Sequence, residues 1–95
     1  MLMRHSLRTD ENQKEIVRAL RKIGCTVYVI GLPVDLLVGF RGRNFLMEVK
    51  VDSKKKLTKL QQKFFGEWRG EVARVESVEQ ALEVVSNGWE NKGRQ

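Results

Sequence analysis

Apolar residues recur along this chain with a helical period in some stretches and a strand period in others. Ile16, Leu20 and Ile23 share one stripe at i, i+4 and i+7, which predicts a helix. Thr9 or Asp10 is placed to cap it, it runs to about Lys22, and Gly24 stops it. Residues 1–8 are basic and aperiodic, so a frayed start is expected there. Cys25 to Ile30 is rich in β-branched and aromatic residues and predicts a strand, broken by Gly31-Leu32-Pro33. Val34 to Phe40 predicts a second strand, Arg41-Gly42-Arg43-Asn44 a hairpin turn, and Phe45 to Val51 a third strand. The run Phe45 to Val49 is apolar on both faces except at Glu48, as in a central strand covered on both sides.

Asp52 to Lys56 is a polar, lysine-rich loop. Leu57 to Arg69 predicts a second helix with Leu60, Phe64 and either Trp68 or Phe65 turned inward. Val72 to Val75 follows as a short strand. Ser77 caps a last helix, with Glu79 or Gln80 closing a capping box. Val78, Ala81, Leu82 and Val85 face inward, and Asn87-Gly88 ends it before a polar tail at 90–95. The order is α-β-β-β-α-β-α. Strands one to three form an antiparallel meander, and the fourth arrives by a helical crossover, parallel to its neighbour. The expected class is α/β, a mixed α+β sheet with helices on its faces.

The length of 95 residues allows one domain, with a core over about 9–86. The longest apolar runs are far too short to span a membrane, and no apolar stretch follows Arg4, His5 and Arg8. No membrane association or signal peptide is therefore expected. A single cysteine, Cys25, excludes an intramolecular disulfide and a cysteine-rich zinc site. A single histidine, His5, in the aperiodic segment leaves little room for Cys–His nucleophile chemistry. Cys25 is expected in the core and His5 to be inert, and the default compartment is the reducing cytoplasm. The 18 Lys and Arg against 12 Asp and Glu give a net charge of +6, which favours an anionic partner, nucleic acid first among them.

Three ionisable residues lie in or against the apolar strands: Asp35, Glu48 and Lys50. Burying a carboxylate in a strand is costly unless it is paired or binds a metal. Glu48 and Lys50 are two residues apart and share a face. A hairpin centred near Gly42-Arg43 pairs residues whose numbers sum to about 85, placing Asp35 opposite roughly Val49 to Val51. Asp35 then lies beside Glu48 and Lys50 at one end of the sheet. Converging carboxylates repel unless a divalent cation sits between them, and oxygen ligands suit Mg²⁺ or Mn²⁺. The carbonyl of Val49 offers a further oxygen, and Lys50 is placed to orient a water or stabilise charge on a phosphate. The same residues also allow a plain buried ion pair without catalysis.

Pro33-Val34-Asp35, twelve residues, then Glu48-Val49-Lys50 resembles the PD-(D/E)xK signature of restriction-type nucleases. The element order matches that superfamily's restriction-endonuclease-like αβββαβ core, here with an additional C-terminal helix. Asp10 to Val17, Asp35 to Gly39, Leu57 to Gln61 and Val75 to Glu79 are together similar to the small stand-alone VRR-NUC domains common in phages. The resemblance covers about residues 8–86. It implies a metal-dependent DNA nuclease in which Asp35 and Glu48 bind metal, Val49 lends its carbonyl and Lys50 is the catalytic lysine. Gln61 matches the family's glutamine that supports the site. Stand-alone members are associated with dimers that resolve four-way junctions, and a phage-encoded member would act in the host cytoplasm. The family places an acid near the start of the first helix. Here the inward positions hold Thr9, Asn12 and Gln13, with Glu11 outward and Glu15 on the flank, so Asn12, Gln13 and Glu11 are the accessory candidates.

Lys54-Lys55-Lys56 directly follows the Glu48-x-Lys50 strand and suits a phosphate clamp beside the site. Arg41 and Arg43 in the hairpin turn are further phosphate-contact candidates. Phe65, Trp68 and Trp89 are more aromatic surface than one small domain easily covers, which points to a homodimer. The leading expectation is a Mg²⁺- or Mn²⁺-dependent endonuclease acting on DNA, branched DNA by resemblance, with no organic cofactor. The alternative is a DNA-binding module of the same fold that does not cut.

Overall fold

A computed structural model describes the backbone of residues 3–88 and the side chains of residues 11–86. The expectations for the side chains of His5 and Thr9, for Trp89 and for the tail at 90–95 lie outside those residues.

Helix α1 spans Met3–Lys22, so it begins well before Thr9 and Asp10, and neither caps it. Met3 to Arg8 contains no Gly or Pro, so nothing in the residue types stops the helix there. At the other end the stop is the expected one. Gly24 takes φ +105°, its N–H donates to the Arg21 carbonyl at 3.0 Å, and the Cys25 N–H donates to the Leu20 carbonyl at 3.0 Å. This is a Schellman closure, which needs a residue without a Cβ at that position. Ile23 lies beyond the last helical turn and is 42% exposed; Val17 takes the inward place instead.

Four strands follow: β1 Thr26–Val29, β2 Leu36–Phe40, β3 Arg43–Val49 and, after helix α2 at Lys59–Glu67, β4 Val72–Val75. The sheet order is β1-β2-β3-β4, with β1–β2 and β2–β3 antiparallel and β3–β4 parallel. Helix α3 at Val78–Glu83 continues into a π-helical turn at Val84–Gly88. The predicted element order and mixed sheet are thus the observed ones. The hairpin is tighter than the sequence suggested: Phe40 pairs with Arg43, and the turn is Arg41-Gly42 alone. Both residues have positive φ, 51° and 80°, which matches the right-handed twist of the strands. Leu36 therefore faces Met47, and one step further on Asp35 falls opposite Glu48 rather than Val49 to Val51.

Strand alternation gives the sheet two unlike faces. Val27, Leu36, Val38, Phe45, Met47, Val49 and Val75 pack with Ile16, Val17 and Leu20 of α1 and with Ala81 and Val85, and Cys25 joins this core as expected. Asp35, Glu48 and Arg74 alternate onto the opposite face, where α2 lies. That helix buries none of its residues, and Leu60, expected inward, is 78% exposed. Gln61, Phe64 and Phe65 form its half-buried side. The phase of α2 follows a polar demand more than an apolar stripe: a buried carboxylate needs a donor, and Gln61 supplies it. At α3, Ser77 caps as expected, its Oγ accepting from the Gln80 N–H at 3.1 Å. Gln80, not Glu79, reaches back, and it meets the Glu76 N–H at 2.7 Å.

Candidate active site

At the C-terminal end of β3 the chain concentrates charge against an otherwise apolar sheet. Asp35 precedes β2, Glu48 lies within β3, and Lys50 follows it. An open pocket of about 230 Å³ is lined by Asp35, Glu48, Val49, Lys50, Val51, Lys55 and Lys56. The sequence-predicted core of the site is therefore assembled in space.

Glu48 is the one buried charged residue among those described, at 4% exposure. Its Oε2 accepts from Gln61 Nε2 at 2.8 Å and lies 3.4 Å from Lys50 Nζ. Its Oε1 is buried with no hydrogen-bond partner. Asp35 Oδ2 accepts from the Val49 N–H at 2.8 Å, which ties the carboxylate to the backbone beside Glu48. Burial pushes the Glu48 carboxyl above its ordinary range, and the charge of Asp35 pushes it further, with Lys50 pulling in the other direction. Burial also raises Asp35, against the Val49 N–H and Lys50. For both acids the cost of burial outweighs the compensation that their partners supply.

Gln61 is fixed at both ends. Its backbone N–H donates to Thr58 Oγ1 at 3.1 Å, and its Oε1 accepts from the Thr58 N–H at 2.9 Å. This capping box at the start of α2 leaves only Nε2 for Glu48, so the amide orientation is set by local geometry.

The arrangement suits a divalent cation. Two carboxylates converge, one buried oxygen has no partner, and all donors available are oxygens, the preference of Mg²⁺ and Mn²⁺. Among the described residues no three His, Cys, Asp or Glu side chains cluster, so such an ion would rest on Asp35, Glu48, a backbone oxygen such as that of Val49, and water.

The other candidates separate. Asn12 does not enter the pocket; its Nδ2 donates to the Lys50 carbonyl at 3.2 Å and to the Glu76 carbonyl at 3.4 Å, bracing the ends of β3 and β4. Gln13 lines a different groove, with Lys14, Val17, Arg18, Arg21 and Val29, and Glu11 is exposed. Lys54, Lys55 and Lys56 are exposed, and the last two line the site pocket. Arg41 and Arg43 sit at the hairpin, roughly 15–20 Å from Glu48 along the strand. Arg43 is engaged by Glu71 through both its Nε, at 3.1 Å, and Nη2, at 2.8 Å, and lies over the Phe45 ring. Arg41 stacks over Phe40 at 4.8 Å. One group escaped the sequence reading: Arg74, opposite Glu48 in the ladder, donates to the Asp52 carbonyl at 2.8 Å and pairs with Glu76 at 3.1 Å. The only local signal was a lone cation on the polar phase of an apolar strand.

A solved structure described as "VRR_NUC domain" is similar to this chain, with a TM-score of 0.71 and 24% identity over 83% of this chain and 95% of that one. At that identity the likeness establishes the fold alone, the mixed α+β arrangement of a four-stranded sheet and three helices that the sequence resemblance implied. No family model and no curated protein matches the chain.

Proposed function

We propose that this protein is a Mg²⁺- or Mn²⁺-dependent endonuclease that hydrolyses DNA phosphodiester bonds. The observation that carries the proposal is the Glu48 carboxylate: buried, one oxygen held by Gln61 and Lys50, the other without a partner, in a pocket that Asp35 also lines. A bound Mg²⁺ or Mn²⁺ would supply Lewis-acid charge that acidifies water and offsets negative charge on the phosphate. Asp35 and Glu48 would hold it, with the Val49 carbonyl as a further oxygen. Gln61 keeps Glu48 Oε2 occupied, which leaves Oε1 for the ion. Lys50, whose side chain is 16% exposed and whose Nζ lies 3.4 Å from Glu48, is placed to donate to a phosphate oxygen or to orient the attacking water. Incubating pure protein and Mn²⁺ with labelled linear, nicked, flap and four-way DNA tests the reading. Metal-dependent cuts support it, with branched DNA preferred. DNA binding without any cut would favour the second reading, a non-cleaving module, for which the diversion of Asn12 to backbone carbonyls argues.

Lys55 and Lys56 at the pocket rim, with Lys54 beside them, would grip backbone phosphates. Replacing all three by Ser is expected to weaken binding to every DNA sequence and to flatten the salt dependence by up to ~0.9 log unit per lost contact. A uniform loss with an unchanged slope, measured by anisotropy across salt concentrations, would remove them from the interface.

We further propose that the protein acts as a homodimer. Trp68 is 45% exposed and Leu37 38%, and they line one groove on the site face with Leu46 and Gly70. Phe65, half-buried on α2, is the second described candidate. Paired cuts in a four-way junction need two sites, which a two-fold dimer supplies. Sedimentation is expected to give twice the 11.0 kDa chain mass at micromolar concentration. A monomer with and without DNA would leave a nicking or flap-type nuclease.

A further inference from the structure

The lysine loop has no apolar anchor: residues 51–56 are all exposed. Backbone without buried contacts opens easily, so the lysines need some other restraint to stay over the pocket. The loop folds around Asp52, whose Oδ1 accepts from the Lys54 N–H at 2.8 Å and whose carbonyl accepts from the Lys55 N–H at 3.2 Å. That same carbonyl accepts from Arg74 Nη2 at 2.8 Å. Arg74 is the side chain that ties this turn to the sheet among the described residues. It stands opposite Glu48 in the parallel ladder and leaves the sheet on the same face. Glu76 holds the guanidinium at 3.1 Å, and only 24% of the side chain is exposed.

We infer that Arg74 is a positioning residue that fixes the Asp52 turn and so holds Lys55 and Lys56 over the site. This rests on the reading of that pocket as a DNA-cleaving site. Arg74 acts on DNA affinity through the loop and leaves the metal-binding carboxylates alone, since its described contacts are Asp52 and Glu76 and not Glu48. One nitrogen, Nη2, serves both the Asp52 carbonyl and the Glu76 carboxylate, while Nε is buried without a hydrogen-bond partner. The rigid guanidinium plane sets where Nη2 lies, and an ammonium on a flexible stem holds that position poorly.

The test is a double-mutant cycle in the full chain, with cleavage kinetics and Mn²⁺ titration. Arg74→Lys and Arg74→Met are each expected to raise KM for DNA about tenfold, with kcat within about twofold of the parent and Mn²⁺ affinity unchanged. Combined with Lys55→Ser and Lys56→Ser, Arg74→Met is expected to add no further loss, because the groups it positions are gone. An additive loss would overturn the inference, since Arg74 would then meet phosphate, or act by charge, on its own account. A fall in kcat or Mn²⁺ affinity would overturn it in favour of a direct effect on Glu48. Absence of Mn²⁺ binding by the parent protein would sink the nuclease reading itself, and the inference with it; a normal parent with an additive cycle sinks the inference alone.

Discussion

Glu48→Gln is expected to abolish metal-dependent cleavage while the protein stays folded. The substitution keeps the volume of the side chain, and its carbonyl oxygen still accepts from Gln61 Nε2, now 2.8 Å from Oε2. What it removes is the charge that would hold the ion. A metal contributes several kcal/mol to the transition state. Each ~1.4 kcal/mol is a factor of ten, so the loss should be about a thousandfold or more. Asp35→Asn should behave alike, because an amide oxygen can still accept from the Val49 N–H. Single-turnover cleavage with folded variants checks both, and near-native rates in either would remove that residue from the site.

The second large effect is on stability. In the metal-free protein, burial raises the Glu48 carboxyl above its ordinary value of 4.5 and the Asp35 carboxyl above 3.8. A raised folded-state value means that protonation favours the fold. The contribution is complete below the unfolded values and is lost as pH rises through the raised ones. Metal-free Glu48→Gln should therefore melt above the parent at pH 8, and the gap should close as pH falls towards 4.5. Mn²⁺ should reverse the ranking. At a hundred times its Kd a ligand adds ~2.7 kcal/mol. At ~4–8 °C per kcal/mol, that lifts the parent's Tm by about 10–20 °C. A parent that melts at one temperature with and without Mn²⁺ would mean that the carboxylates form a structural pair only.

Much of this was legible in residue order. Gly24 and Ser77 announce a helix stop and a helix start because their local chemistry allows little else. Val72 to Val75 ends where Ser77 begins to cap. Asp35, Glu48 and Lys50 stood out because charge in an apolar strand demands a partner. The register was less visible: Arg41 takes a positive φ that its type does not advertise, and two residues of turn length moved Asp35 from Val49–Val51 to Glu48. The face of α2 was hidden because its apolar stripe points to Leu60, whereas the buried carboxylate turns Gln61 inward. The Arg74–Asp52 link joins residues 22 apart in sequence and follows only from the parallel crossover. The early start of α1 shows the limit of capping residues as signals, since Thr9 and Asp10 also tolerate a helix interior.

The central claim is that Asp35 and Glu48 together hold a divalent cation, and electron paramagnetic resonance of free Mn²⁺ during titration measures that directly. The parent protein should deplete the free-Mn²⁺ signal saturably, and Asp35→Asn and Glu48→Gln should each leave it undepleted. Equal Mn²⁺ uptake by all three proteins, or none by the parent, would contradict the account.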